Sequence, residues 1–244
     1  MRFTLPLACA LVGVSLLPST NATNSFAQKE LFPTPASGIT IPALHAQDGG
    51  WSLEDLVREY ERTADVHVLH GQDCANLLDS TPLNLVRGAE IPADKVHTVV
   101  QTLLAENGWV FGLAHEGQPT MFTLRSRYSG NRHEIRMDSA FVPYADLSMW
   151  EEHPGFTITT AVPLQSLDAR QASNTMRSMV LDNNTQMIQA AGDGNTVMLT
   201  GLTTDVMKWV KLLEVSDAET AALRAKQKAE AEEAAKNAGD AMPR

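Results

Sequence analysis

The chain has 244 residues, of which 19 are Lys or Arg and 29 are Asp or Glu, so its formal net charge is −10 at pH 7. An acidic surface repels nucleic acids and anionic lipid head groups, and we expect binding to neither. The length fits two small domains better than one large core.

The N-terminus has the pattern of a secretory signal, Met1–Ala27. Arg2 supplies the positive start, Leu5–Leu17 the apolar stretch and Ser25–Ala27 the small-residue cleavage site. The apolar stretch is too short to span a bilayer, which takes about 20 apolar residues, and no later segment reaches that length. We therefore expect an exported, soluble, periplasmic protein. Removal of the signal makes its net charge one unit more negative.

Two cysteines occur, Cys9 and Cys74, and only the second remains after removal of the signal. A single thiol cannot form an internal disulfide, so the mature chain must be stabilised by packing. Cys74 lies beside Ala75 and Leu77, and we expect it to be buried rather than reactive.

Residues 38–125 are predicted to form a first α+β module. Ser52 and Asp55 make a capping-box pattern at a helix start. A second helix is expected to begin at Pro92, which suits the first helical position, and to end at Asn107–Gly108. Apolar residues at helical spacing form one stripe on each helix: Leu53, Leu56, Val57, Tyr60 and Ala64, then Val96, Val99, Val100, Leu103 and Leu104.

Four β-type runs accompany these helices. They are Val66–Leu69, Leu83–Val86, Trp109–Ala114 and Thr120–Leu124. The last two are close enough in the chain to pair as a hairpin.

Residues 126–160 are interpreted as a linker with partial structure. Ile135–Val142 is a possible strand and Tyr144–Trp150 a short amphipathic turn. Large aromatic residues are seldom left free in a linker, so Trp150 and Phe156 are expected to pack onto one of the modules. The alternative is that they form an exposed docking patch.

Residues 161–217 are predicted to form a second module of order β-α-β-β-α. A short strand, Val162–Leu164, precedes a helix for which Asp168 is the N-cap and Gln171 completes a capping-box pattern. Its apolar stripe consists of Ala169, Ala172, Met176, Met179 and Val180.

A hairpin and a closing helix complete this module. Strands Gln186–Ala190 and Thr196–Thr200 are joined by Gly192–Asn195, residue types that tolerate positive φ. The closing helix carries an apolar stripe of Val206, Trp209, Val210 and Leu213. The two helices should cover one face of a small sheet.

The tail, residues 218–244, is rich in Ala, Glu and Lys and has no large apolar residue after Leu223 except Met242. It is expected to be solvated and partly helical, because a helix without an apolar stripe cannot pack by burial. A coiled-coil oligomerisation helix is the alternative, although its core positions would hold Ala at best.

The second module resembles the small repeated periplasmic domain of secretins, the ring-forming outer-membrane channels of type II and type III secretion and type IV pilus systems. The matching elements are Val162–Leu164 before Asp168, the strand Asn195–Gly201, and the helix Val206–Glu214 that runs on to Asp217. This resemblance implies a KH-like fold.

The first module resembles the first periplasmic domain of secretins, which shares its fold with the signalling domain of TonB-dependent receptors. The resemblance is carried by Ser52–Tyr60, Ile91–Val96 and Leu103–Trp109. Both domains occur in this order in secretins. The sequence reaches Arg244 too soon after the second module to supply a channel domain, so an accessory or split component is expected.

No catalytic, metal or cofactor site is predicted. His67 and His70 lie three residues apart on an expected strand, which places them on opposite faces. Asp94 and His97 share a helix face but have no nearby nucleophile, and they are interpreted as a solvated pair. KH domains clamp nucleic acid with a Gly-rich loop, but the candidate here, Gly192–Gly194, lies between two strands and carries an acid.

The sequence therefore predicts a non-enzymatic periplasmic protein with envelope protein partners, part of a secretin-type secretion or pilus machine. Contact through sheet edges or between helix and sheet is the expected physical route. Two alternatives stay open. One is a ligand-sensing or signalling module, and the other is an enzyme whose site is not recognised.

Overall fold

The computed structural model describes residues 31–43, 50–117, 119–130 and 132–240. The predicted signal, Met1–Ala27, lies outside the described residues.

The chain is α+β, as predicted. The helices are α1 (Leu53–Ala64), α2 (Gln72–Ser80), α3 (Val96–Glu106), α4 (Glu134–Met137), α5 (Ala169–Met176) and α6 (Thr203–Asp240). The strands are β1 (Ile39–Ile41), β2 (His67–His70), β3 (Ala89–Ile91), β4 (Trp109–His115), β5 (Met121–Ser126), β6 (Ala140–Phe141), β7 (Thr157–Pro163), β8 (Met187–Ala190) and β9 (Thr196–Leu202).

Three small sheets are formed by the described strands. β1 and β3 pair antiparallel as a two-stranded ribbon. A three-stranded sheet has the order β2-β5-β4, in which β2 is parallel and β4 antiparallel to β5. A four-stranded sheet has the order β6-β7-β9-β8, in which only the β6–β7 pair is parallel.

Helix α1 begins with the predicted capping box. The Ser52 hydroxyl accepts from the Asp55 backbone N–H, and the Asp55 carboxylate accepts from the Ser52 backbone N–H. Two of the donors that a helix start leaves unpaired are thus satisfied. The predicted apolar stripe is buried: Leu53, Leu56, Val57, Tyr60 and Ala64.

The middle of the first predicted module differs from its prediction. Leu83–Val86 is not a strand, and the pairing segment lies further on, at β3. A third helix, α2, which was not predicted, precedes it and buries Cys74 as expected. Pro92 does not open an α-helix but stands before a 3-10 turn, Ala93–Lys95, which leads into α3.

The connecting region 126–160 is more structured than predicted. The expected strand Ile135–Val142 is wrong, because its first half forms the short helix α4 and only Ala140–Phe141 is extended. The predicted turn Tyr144–Trp150 is a 3-10 helix. Trp150 and Phe156 are buried, so the prediction that they pack is confirmed and the exposed patch is not formed.

The four-stranded sheet carries α5 and α6. Asp168 caps α5 by accepting from the Gln171 N–H at 2.8 Å, and Ala169, Ala172 and Met176 are buried. Met179 does not belong to this buried stripe, because the helix tightens into a 3-10 turn at Arg177–Met179 and leaves its side chain 42% exposed.

Helix α6 buries its predicted stripe of Val206, Trp209, Val210 and Leu213. It continues without a break through most of the predicted tail to Asp240. Residues 221–233 are exposed throughout, and Lys226 and Lys228 pair with Glu230 and Glu232 one turn later.

Apolar residues from both halves of the chain form one contiguous buried cluster, from Phe32 to Leu213. β4 and β7 meet at the Phe111–Phe156 bridge, where the Phe111 N–H donates to the Gly155 carbonyl at 2.8 Å. The two larger sheets remain separate. The division into domains at 38–125 and 161–217 stays a prediction.

None of the helices in the described part of the chain combines the length and the hydropathy that a membrane crossing requires.

Candidate partner-binding surfaces

The β1–β3 ribbon is a small sheet whose outer edges are open. Ile39 pairs with Ile91 and Ile41 with Ala89, and the three isoleucines are buried. Thr40 and Glu90 lie opposite each other and are exposed. Neither strand has a further strand neighbour among the described residues. An unpaired strand edge of this kind can accept an added strand from another chain.

Glycines precede both strands of the ribbon. A Cβ on Gly38 would lie 2.4 Å from the Ile91 carbonyl oxygen, and one on Gly88 would lie 2.6 Å from that of Ile41. Larger residues would push the two strands apart. A cleft of about 420 Å³ lies at the Gly38 end and is lined by Gly38, Ile39, Thr40, Glu90, Ile91 and Pro92.

The outer edges of the three-stranded sheet are occupied by the chain itself. At β2, the Val68 N–H donates to the Glu61 carboxylate at 2.6 Å. At β4, the Phe111 and Leu113 N–H groups donate to the Gly155 and Asp138 carbonyls. The Glu61 side chain and the connecting region thus bind backbone N–H groups that a partner strand would need. This blocks the addition of a strand at this sheet.

The four-stranded sheet leaves β8 at one edge, with β9 as its only strand neighbour among the described residues. Gln189 is exposed on this strand. Leu181, in the segment that leads to β8, is 86% exposed. The β8 edge is thus a second position where a strand from another chain can pair.

A groove of about 600 Å³ runs between the 3-10 helix Tyr144–Trp150 and the start of α6. The Tyr144 hydroxyl donates to the Glu214 carboxylate at 2.5 Å. This bond, with burial, raises the pKa of Tyr144 to about 12. The hydroxyl therefore stays protonated at neutral pH and holds the connecting region against α6.

The residues considered for metal binding do not converge. His67 and His70 are both exposed on β2, and no group of three or more His, Cys, Asp or Glu within the described residues is arranged to hold a metal ion. The Gly192–Gly194 turn joins β8 to β9, with Gly192 at a φ of 57° and Asp193 fully exposed.

The interpretation of Asp94 and His97 as a solvated pair is wrong. His97 turns inwards, where its Nδ1 lies 2.8 Å from the Tyr60 hydroxyl and its Nε2 lies 2.8 Å from the Pro33 carbonyl oxygen. Asp94 is exposed. Burial lowers the pKa of His97, and the bond to Pro33 offsets part of this effect.

A second histidine, His153, lies beside His97 with the ring centroids 5.7 Å apart. It stacks on Phe32 at a centroid distance of 3.4 Å and contacts Trp150 and Phe156 edge-on. Burial, reinforced by His97, lowers the pKa of His153 to about 3. Sequence reasoning missed this cluster, because its members are far apart in the chain.

The ribbon was missed too, although the sequence carries a signal for it. Its strands lie within two similar pentapeptides, Gly38–Pro42 (GITIP) and Gly88–Pro92 (GAEIP). Each places an alternating three-residue run between a Gly and a Pro, the residues that commonly bound short edge strands.

No protein-family model matches the chain, and no curated protein matches it. Among solved structures, the chain is similar to one from the Klebsiella pneumoniae type II secretion system outer membrane complex, which contains PulD, PulS and the PulC HR domain. The identity is 13%, the TM-score is 0.46, and the match covers 68% of this chain and 25% of that chain. The chain thus spans about a quarter of the length of that protein.

Two further structures are similar. One is the GspC–GspD complex from the type II secretion system of enterotoxigenic Escherichia coli, at 11% identity and a TM-score of 0.26, covering 75% of this chain and 99% of that chain. The other is the N-terminal domain of the secretin XcpQ from Pseudomonas aeruginosa, at 7% identity and a TM-score of 0.24, covering 77% and 67%. Secretins are the proteins that the sequence resembles. The TM-scores are low, and the likeness carries no functional conclusion by itself.

Proposed function

We propose that this chain is a non-enzymatic, periplasmic protein-interaction component of a secretin-type envelope machine, such as a type II secretion or type IV pilus-like system. The sequence resemblance over residues 38–125 and 161–217 supports the family. In secretins the corresponding domains form rings and bind other envelope components. The proposed partners are therefore proteins of the cell envelope.

The open edge of the β1–β3 ribbon is the observation that carries this proposal. At β2 and β4, acceptors of the chain itself bind the outward N–H groups, but the ribbon is left without a strand neighbour among the described residues. Main-chain hydrogen bonds at such an edge supply affinity, and the exposed Thr40 and Glu90 would contribute specificity.

Site-specific photo-crosslinking in cells tests the proposal. A photoreactive residue at Thr40 should form crosslinks to envelope proteins that mass spectrometry identifies as secretion or pilus components. Thr102, exposed on α3, is the matched control position and should give none of these products. Capture of a transcriptional regulator or its membrane-bound partner at Thr40 would favour the signalling module instead. Absence of any Thr40-specific product would contradict docking at the ribbon.

A further inference from the structure

Four stretches that are distant in the chain meet in one cluster at the junction of the two halves. The N-terminal segment contributes Phe32 and Pro33, α1 contributes Tyr60, and α3 contributes His97 and Gln101. The connecting region contributes three aromatic rings, Trp150, His153 and Phe156. This cluster joins the N-terminal segment and the connecting region to α3.

The polar groups of the cluster form a hydrogen-bond chain with a defined direction. A carbonyl oxygen can only accept, so His97 Nε2 must donate to Pro33. In a neutral imidazole Nδ1 is then the acceptor, and the Tyr60 hydroxyl donates to it. Gln101 Nε2 in turn lies 3.4 Å from the Tyr60 oxygen and 3.5 Å from His153 Nδ1 and donates to both.

Both histidines act as acceptors in this chain, and an imidazolium has no acceptor nitrogen. Protonation of His153 would place two donors, its Nδ1–H and the Gln101 amide, face to face. Protonation of His97 would place a hydrogen on Nδ1, so the Tyr60 hydroxyl would have to rotate and accept from Nδ1 instead of donating to it. The Gln101 Oε1 atom is buried and has no hydrogen-bond partner.

Within the described part of the chain, no carboxylate faces either imidazole to stabilise its protonated form. The ionisable group that faces His97 from α1 is Tyr60, and burial raises the pKa of this tyrosine, so it stays neutral. From the connecting region, the ionisable group that faces His97 is His153. From the described part of the N-terminal segment, the Phe32 ring and the Pro33 carbonyl face the histidines.

The nearby charges are directed to solvent. On α3 and the turn before it, Asp94 and Lys95 are exposed. Lys95 pairs with Glu152 of the connecting region at 3.5 Å, and the side chains of both are about half exposed or more. A cation in the cluster would therefore lose its hydration without gaining a counter-charge.

We propose that the chain Tyr60–His97–Gln101–His153 is a proton-sensitive latch, closed at neutral pH, that fastens the N-terminal segment and the connecting region to α3. Mild acid favours the open state, in which the released histidines bind protons. This inference does not rest on the proposed function. It concerns how the two halves are held together, and it holds for any partner.

The direction of the pH effect follows from proton linkage. Histidine in the unfolded chain has a pKa of about 6.5, and burial lowers the pKa of both rings in the folded chain. Stability is therefore fully present above about pH 6.5 and falls as the pH drops below it. For each such histidine, the unfolding equilibrium constant rises about tenfold per pH unit.

Urea unfolding of the full chain between pH 7.5 and pH 5 tests the latch. In the wild type, the unfolding constant should rise up to about a hundredfold per pH unit below about pH 6, from two histidines. His153→Phe keeps an aromatic ring on Phe32 but cannot bind a proton. The unfolding constant of this variant should therefore rise about tenfold less per pH unit. The matched control His133→Gln, at an exposed position, should behave like the wild type. Equal pH dependence of His153→Phe and the wild type would overturn the proposal.

Proton NMR titration of the wild type gives a second readout that needs no variant to fold. The ring signals of His97 and His153 should stay unshifted until the latch opens. Titration of either ring near pH 6.5 in the folded protein would also overturn the proposal.

Discussion

Asn195 uses its whole side-chain amide to hold the loop before α5. Its Oδ1 accepts from the Ala169 N–H, and its Nδ2 donates to the Leu164 and Leu167 carbonyls, each at 2.8 Å. These partners are more than 25 residues away in sequence. One side chain of the β8–β9 hairpin thereby fixes where α5 starts.

Asp217 holds the same loop from the other side, and its removal should destabilise the protein. Its carboxylate accepts from the N–H groups of Gln165, Ser166 and Leu167. Asp217→Asn should lower the free energy of unfolding by about 1 kcal/mol at pH 7, allowing for solvent screening. Urea unfolding measures this loss. Asp193→Asn, at a fully exposed carboxylate, is the control and should change little.

The effect of Asp217→Asn should also depend on pH. Desolvation raises the pKa of Asp217, but the three backbone hydrogen bonds outweigh it and lower the pKa below its usual value. The carboxylate therefore stabilises the fold above about pH 4, the value in the unfolded chain, and this contribution is lost as the pH falls through the folded-state pKa. The difference between wild type and variant should shrink between pH 7 and pH 3.5. A constant difference would contradict this.

Trp209 packs α6 against β9 of the four-stranded sheet. It is 4% exposed, and its ring lies 3.2 Å from where a Cβ on Gly201 would be. Trp209→Ala should cost about 3–5 kcal/mol, a large share of the stability of a small protein. Thermal unfolding measures it. Leu212→Ala, at a 42% exposed position on the same helix, is the control. Equal melting temperatures for the two variants would refute the assignment of Trp209 to the buried face of α6.

At the scale of elements, the second half of α6 should contribute little to folding. Its side chains from residue 221 to residue 233 are exposed, and its described ion pairs are surface pairs. A chain truncated after Lys226 should therefore keep the melting temperature of the full chain within a few degrees. Circular dichroism should show the loss of the corresponding helical signal. A large drop in the melting temperature would mean that this segment is packed.

Elements with local signals could be predicted from sequence, and those defined by distant contacts could not. The Ser52 capping box, the stripe around Trp209 and the Gly192–Asn195 turn depend on neighbours within a few residues. Ile135 and Val142 suggested one strand, but Ile135 is buried as part of α4, and Val142 is buried just after β6 ends. β1 and β3 are too short for periodicity to indicate, and they form because they pair across 50 residues.

The same reasoning applies to the candidate sites. His97 looked like part of a solvated helix face because its partners Pro33 and Tyr60 are 64 and 37 residues away. The open edges depend on which donors the rest of the chain covers, as Glu61 covers Val68 at β2. Neither feature follows from local pattern.

For the whole molecule, we predict weak self-association. The open edges are short, three residues in the ribbon and four in β8, and interfaces that bury less than about 1,200 Å² are usually transient. The net charge of −10 adds repulsion, which salt reduces as the Debye length falls to about 8 Å.

Light scattering at micromolar concentration measures the self-association of the purified protein. We expect a monomer or a weakly associating species, with association increasing as salt is added. A stable ring of many copies, formed without a partner, would contradict the prediction.

Helix α6 also sets a distance. The packed first half nucleates the helix, so the exposed half only has to extend it residue by residue. The alanines of the exposed half favour this extension because alanine has the highest helix propensity. At 1.5 Å per residue, residues 218–240 extend about 35 Å beyond the last loop that α6 anchors through Asp217. Substitutions there that preserve helicity should be tolerated, whereas inserting or deleting residues would change both the reach of the helix and the direction in which its end faces. The number of residues in the segment, rather than their individual side chains, therefore determines where the end of the helix lies.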